Sequence, residues 1–289
     1  MNSVDLHCHS TASDGTLPPR EVVRLAKQCN LSALSLTDHD TTNGIAEAAA
    51  AAGELGIDFI PGIEISCEFP RPGTMHMLGY GVDPDSPTLK NLTKTLLEAR
   101  GDRNPQIVEK LNELGVAVSM DEWREQAKGG VLGRPQLAAI LVRKGYVSSI
   151  QSAFDKYLGE GGLAYFDKER LTSRRAIELI RESGGVAVLA HPPQLRRDNF
   201  GQVETIVKQL ADEGLAGIEV IHSDHDEMWV RELTRLADRF HLLKTGGSDF
   251  HGSNKADIHL GVANGRRIPR EWFDALVDGV RQAQCGVGR

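Results

Sequence analysis

Along the 289-residue chain, short apolar runs alternate with stretches whose apolar positions recur every three or four residues. The short runs predict strands over 4–7, 33–37, 59–66, 76–82, 186–190, 217–221 and 242–246. Between them, the longer period predicts helices over 19–30, 43–55, 173–183, 202–213 and 227–241. Pro18 and Pro19 suit a helix start, and Gly56, Gly184 and Gly214 fall where helix C-caps are expected. The alanines from Ala48 to Ala52 read as ordinary helix, because alanine has the highest helix propensity. Strand followed by helix, repeated, predicts an α/β fold of βαβ units on a parallel sheet, closed as a barrel or left open.

The rhythm breaks in the middle. From about 87 to 166 the period is mostly helical, carried by Leu92, Leu96 and Leu97, then Ile107, Leu111 and Leu114, then Leu137, Ile140 and Leu141. Gly129-Gly130 and the glycines between Gly159 and Gly162 punctuate it. The expectation is a small helical cap inserted at 87–166 over the catalytic face. Residues 1–86 and 167–289 would then form one discontinuous barrel domain.

Composition changes this picture little. Hydrophobic residues make up 40% and charged residues 25%, ordinary values for a chain with a sizeable core. No apolar stretch reaches the ~18 residues needed to span a bilayer. Nothing around Val4-Asp5-Leu6-His7 resembles a signal peptide. Cys8, Cys29, Cys67 and Cys285 are scattered, form no CxxC pair and read as small buried thiols of a cytoplasmic protein. A net charge of −7 argues against a DNA or general nucleic-acid binder, which needs a basic footprint. Residues 100–175 nonetheless carry 13 lysines and arginines against 10 acids, so an anionic ligand would meet the middle of the chain, or metals.

The chemistry lies in where histidines and acids fall. His7-Cys8-His9 closes the first strand, with both imidazoles on one face of an extended segment, and Asp14 follows in the next loop. The second strand ends in Thr37-Asp38-His39 and the third in Gly62-Ile63-Glu64; His76 opens the fourth. The strand at 186–190 runs into His191-Pro192, and the last into Ser248-Asp249-Phe250-His251. Strand carboxyl ends are where parallel α/β folds build active sites. Alone, an HxH pair or a strand-end Glu64 is as readily a satisfied polar residue or a salt bridge. Six histidines and three carboxylates so distributed are hard to explain by packing.

The donor types suit manganese, iron or zinc, since soft thiolates are absent. Nine candidates are too many for one ion, so two or three are implied, with Glu64 as a natural bridge. Paired metals about 3.5–4 Å apart can clamp the attacking and leaving oxygens of a phosphoryl transfer.

The ordered set His7-Cys8-His9, Ser13-Asp14-Gly15, Thr37-Asp38-His39, Gly62-Ile63-Glu64, Ala190-His191-Pro192 and Ser248-Asp249-Phe250-His251 resembles the signature of the polymerase and histidinol phosphatase (PHP) family. The resemblance implies a distorted (β/α)7 barrel with a trinuclear site at its C-terminal face. It implies that His7, His9, Glu64 and Asp249 hold one metal, Glu64, His76 and His191 a second, and Asp14, His39 and His251 a third. Manganese leads the expected metals, with iron, zinc or magnesium as alternatives.

Gly133-Arg134-Pro135, Gly145-Tyr146-Val147 and Tyr157-Leu158-Gly159 resemble the TrpH-like subgroup, which includes 3′,5′-nucleotide bisphosphate phosphatases and the 5′→3′ exoribonuclease RNase AM. Many members carry histidine after the Gly-Arg-Pro where this chain has Gln136, which leaves nucleotide preference and exonuclease ability open.

The expected chemistry is in-line attack of a metal-bound water on phosphorus. Arg134 is the first candidate for a remote phosphate contact, or else part of a structural ion pair in the cap; Arg103 and Lys168 follow with the same alternatives. His222, ending the strand at 217–221, could protonate the leaving oxygen, line the nucleotide pocket, or be a plain polar residue. His225, His241 and His259 read as surface or loop histidines. The first expectation is hydrolysis of the 3′-phosphate of a nucleoside 3′,5′-bisphosphate, with no membrane and no obligate protein partner. The alternatives are a 5′→3′ exoribonuclease on short RNA, a histidinol phosphatase, an amidohydrolase and a non-enzymatic PHP scaffold.

Overall fold

The computed structural model describes residues 3–127, 130–167 and 170–286. β1 (Ser3–Asp5), α1 (Pro19–Gln28), β2 (Leu31–Leu36), α2 (Ile45–Leu55) and β3 (Asp58–Cys67) form two βαβ units, followed directly by β4 (Met75–Tyr80). Four helices come next: α3 (Pro87–Glu113), α4 (Met120–Ala127), α5 (Arg134–Arg143) and α6 (Ile150–Ala153), the last running into a π-turn at Phe154–Leu158. The alternation resumes with α7 (Ser173–Glu182), β5 (Val186–Leu189), α8 (Phe200–Asp212), β6 (Gly217–Ile221), α9 (Glu227–Arg239) and β7 (Leu243–Gly246). β8 (Ile268–Pro269) and α10 (Arg270–Gly286) finish the fold. Among the described residues no helix is long and apolar enough to cross a membrane.

The strands form one sheet in the order β7-β6-β5-β4-β3-β2-β1-β8. Its flanks nearly close into a barrel: Leu6 N–H donates to Gly246 O at 3.1 Å, and Asp249 N–H to His7 O at 2.8 Å. β8 is only a short antiparallel addition to β1, with Val4 opposite Ile268. The barrel is therefore the expected distorted seven-stranded one, with one strand appended.

Two expectations need correction. The sheet is not wholly parallel, because β4 runs antiparallel to both β3 and β5. The loop 68–74 between β3 and β4 is too short for the crossover that parallel strands require. The C-terminal helix α10 was also legible yet unread, for Phe273, Leu276 and Val280 bury one stripe of it. Cys285 in its last turn is exposed, unlike buried Cys8 and Cys67, so the reading of every cysteine as buried fails there.

Packing divides the helices. Barrel strands and flanking helices share a large core including Ile63, Met77, Tyr80, Val188 and Val220, while Ile107, Leu111, Trp123, Leu137, Leu141 and Leu158 form a second apolar cluster. α3 belongs to both: Leu89, Leu92 and Leu96 pack with the barrel, and Ile107 and Leu111 with the helical cluster. Pro105, which cannot donate the helical hydrogen bond, lies where α3 passes from one cluster to the other.

Candidate metal centre

Every strand from β1 to β7 delivers polar residues to one rim. His7 and His9 follow β1, His39 follows β2, His191 follows β5, His222 follows β6, and Asp249 and His251 follow β7. β4 supplies His76 from its beginning instead, because an antiparallel strand starts where its parallel neighbours end; Ser66 of β3 lies opposite it.

Glu64 sits at the centre, fully buried. Its Oε2 lies 3.4 Å from His7 Nε2, 3.3 Å from His9 Nε2 and 2.9 Å from His39 Nδ1. Its Oε1 lies 2.8 Å from His76 Nδ1 and 2.9 Å from His191 Nε2. Asp249 Oδ1 is 3.2 Å from His9 Nε2 and 3.6 Å from His7 Nε2. Asp14 faces His251 Nε2 at 3.3 Å and His39 Nε2 at 4.0 Å. All nine histidines and carboxylates singled out in the sequence therefore meet in one cluster.

The cluster fits cations. Buried His7 Nε2, His9 Nε2, His39 Nδ1 and Glu64 Oε2 have no hydrogen-bond partner among the described residues, an arrangement that costs free energy unless something else satisfies them. Four groups bring ligand atoms within 4.8 Å of one another: His9, Asp14, His39 and His251; His7, His222 and Asp249; His7, His9 and Glu64; His39, Glu64 and His76. Burial works against charge on His7 and His9, yet carboxylates overcome it. Glu219, Glu64 and Asp249 raise His7 well above its ordinary value, and Asp249 and Glu64 raise His9 to about 9. Burial prevails at His191, whose pKa falls to about 4.

A surrounding layer orients the rings. Glu219 Oε1 accepts from His7 Nδ1 at 2.9 Å, which turns His7 Nε2, the atom a cation would take in place of a proton, toward Glu64 and Asp249. His251 Nδ1 donates to Asp249 O at 2.8 Å, which frees its Nε2 toward Asp14. His222 differs: its Nδ1 accepts the Asp224 backbone N–H at 3.0 Å, so the neutral ring carries its proton on Nε2, 3.4 Å from Asp249 Oδ2. The Lys255 ammonium pairs with that same Asp249 oxygen. Backbone strain accompanies this geometry, since Asp40, His191 and Asp249 all adopt positive φ (56°, 24° and 59°).

Beside the cluster opens a cleft of about 560 Å³, lined by Asp14, His39 and His76 at the rim and by Arg71, Arg100, Arg103, Arg134 and Arg170 beyond. Arg100 of α3 donates to buried Asp40 at 2.6 Å. Among the described residues Arg103 bonds only the Asn104 side chain, and burial together with Arg134 and Arg100 lowers its pKa to about 9. Arg134 donates to Leu158 O at 2.9 Å and lies over the Tyr165 ring. Neither Arg103 nor Arg134 has a carboxylate within ion-pair distance among the described residues. Lys168 lies outside the described residues. Gln136 ties α5 to the ligand loop, its amide donating to Ser13 O at 3.3 Å.

Several contributors escaped the sequence reading. Glu219 interrupts an apolar strand, a signal that could have flagged it; Asp40, Arg100 and Lys255 gave no distinguishing one. His225, expected as a surface or loop histidine, lies in the loop between β6 and α9 but not at the surface. It is buried, with Nδ1 donating to Val220 O at 2.8 Å, whereas His241 and His259 are exposed as expected.

The PHP domain model matches residues 5–223. The 3′,5′-nucleoside bisphosphate phosphatase of Chromobacterium violaceum is 35% identical over 90% of this chain and 91% of its own length. The 5′-3′ exoribonuclease of Haemophilus influenzae is 38% identical, covering 86% and 89%. A structure from Bifidobacterium adolescentis described as a metal-dependent phosphoesterase superposes with a TM-score of 0.86, at 29% identity over 96% of each chain. The chain thus belongs to the PHP domain family, as one of its metal-dependent phosphoesterases.

Proposed function

We propose that this enzyme removes the 3′-phosphate of nucleoside 3′,5′-bisphosphates, leaving the 5′-nucleotide. The observation that carries the reading is the joining of two cationic sites in one cleft. A carboxylate–imidazole cluster able to hold divalent ions lines one part, and another holds Arg103 and Arg134, which have no carboxylate within ion-pair distance among the described residues, beside the ion-paired Arg71, Arg100 and Arg170. A ligand with two phosphates satisfies both.

In this reading His7, His9, Glu64 and Asp249 hold one ion, Glu64, His76 and His191 a second, and Asp14, His39 and His251 a third, manganese foremost. When bound, divalent ions supply Lewis-acid activation of a water nucleophile and neutralise phosphoryl charge. Arg134 and Arg103 hold the remote phosphate, where a guanidinium fork matches its oxygens. In its imidazolium form, which Glu219 and Asp249 favour against burial, His222 would give its Nε2 proton to the departing 3′ oxygen as the bond to phosphorus breaks, and return to neutral imidazole. The helices from α3 to α6 act as a cap, docked on the rim through Arg100–Asp40 and Gln136–Ser13.

A second reading, stepwise 5′→3′ degradation of short RNA, is favoured by the exoribonuclease name of the Haemophilus relative. The two are separated by phosphate release from adenosine 3′,5′-bisphosphate, assayed beside a short 5′-phosphorylated RNA and histidinol phosphate, with His191→Ala as control. Release from the bisphosphate that vanishes in the variant supports the phosphatase. Cleavage of RNA alone replaces it with the exonuclease, and inactivity on all three overturns both.

A further inference from the structure

The cleft has an apolar part that neither metal nor phosphate chemistry uses. Phe69, Met75, Pro135 and Phe154 line it together with the arginines. The two rings come from different cores, for Phe69 packs against the barrel cluster and Phe154 against the helical one. Both are only half-buried.

Phe69 is held firmly. Its loop is anchored on one side by Glu68 N–H donating to Leu171 O at 2.7 Å, and on the other by Thr74 N–H donating to Gln194 O at 2.9 Å. The Arg197 guanidinium lies 4.4 Å from the Phe69 ring centroid and also donates to Pro70 O at 2.9 Å. A fixed aromatic ring beside a cationic groove is how proteins hold single nucleotides without reading base identity, because every base has a π-face. Phe154 opens the π-turn, a distortion often found at functional sites.

We infer that Phe69 is the platform on which the nucleobase stacks, with Phe154 as a second ring, so that the cleft selects nucleotides over sugar phosphates of the same charge. This rests on the nucleotide reading above and adds the element that recognises the base.

The test measures binding and needs no turnover. Calorimetry would compare adenosine 5′-monophosphate with ribose 5-phosphate on wild type, Phe69→Leu and Phe69→Trp. Leucine keeps the apolar packing but removes the π-face; tryptophan keeps both. Wild type and the tryptophan variant are expected to bind the nucleotide about tenfold or more tightly than the sugar phosphate, and the leucine variant to lose that difference. A wild type that binds the two equally, or binds neither, overturns the inference, as does a leucine variant that keeps the preference. Failure of the phosphatase reading would appear separately, as bisphosphate left unhydrolysed by a protein that still prefers the nucleotide.

Discussion

Glu219 joins His7 and the backbone of His191 through one buried carboxylate, accepting from His7 Nδ1 at 2.9 Å and from His191 N–H at 2.8 Å. Burial alone would raise its pKa, yet His7 and His222 hold it at about 2. A single side chain from β6 thereby fixes candidate ligands that follow β1 and β5.

Replacing that carboxylate with an amide leaves one acceptor oxygen for two donors. Glu219→Gln is therefore expected to keep the fold but lower metal affinity by about 10- to 100-fold, the usual cost of losing such a supporting partner. Metal content after dialysis against graded chelator measures it, and unchanged content would deny Glu219 this role.

The raised pKa values of His7 and His9 belong to the metal-free protein. A histidine whose folded pKa exceeds its unfolded value near 6.5 stabilises fully below 6.5 and loses that contribution as pH rises through the folded value. For His9 the window is 6.5 to about 9. Chelator-treated protein should thus show a melting temperature that falls between pH 6.5 and 9, and metal uptake in that range should release protons. Melting temperatures flat across the window, with no proton release in weakly buffered titrations, would contradict the prediction.

Gly247 leaves no room for a side chain. A Cβ there would lie 2.3 Å from His7 Cβ and 2.4 Å from His7 N. Gly247→Ala should cost about 1–3 kcal/mol by overpacking, read from urea denaturation, and should weaken metal binding because His7 must shift. A variant as stable as wild type would mean that the rim tolerates movement.

Arg103 and Arg134 should matter in proportion to the second phosphate. Arg103→Ala is expected to raise KM for adenosine 3′,5′-bisphosphate by about tenfold or more, since a charge-assisted contact contributes roughly 1.5–3 kcal/mol. It should change KM for a monophosphate substrate far less. Equal effects on both substrates would place Arg103 outside the phosphate subsite.

The rim was legible because its chemistry is local. A histidine or acid directly after an apolar run needs only the strand to end there, so His7, His9, His39 and His191 could be placed from the chain alone. The direction of β4 required weighing the length of loop 68–74, and without that His76 stood oddly at the start of a strand. Glu219 is a different case. In a strand buried on both sides, the sequence does not say which core a lone carboxylate faces or what it meets. His225 lies in a polar stretch, Ser223-Asp224-His225-Asp226-Glu227, and only the tertiary fold turns it inward.

The sharing of α3 between two cores has a consequence for discrimination by length. Arg100 and Arg103 lie on that helix between the residues that pack with the barrel core and those that pack with the second cluster, and Asp40, next to His39, grips Arg100. Their separation from the Glu64 cluster is thus gauged by continuous helix and a buried ion pair, with no slack loop between. If Arg103 holds the remote phosphate as proposed, a molecule whose two charges are spaced too closely or too far apart would not span that separation.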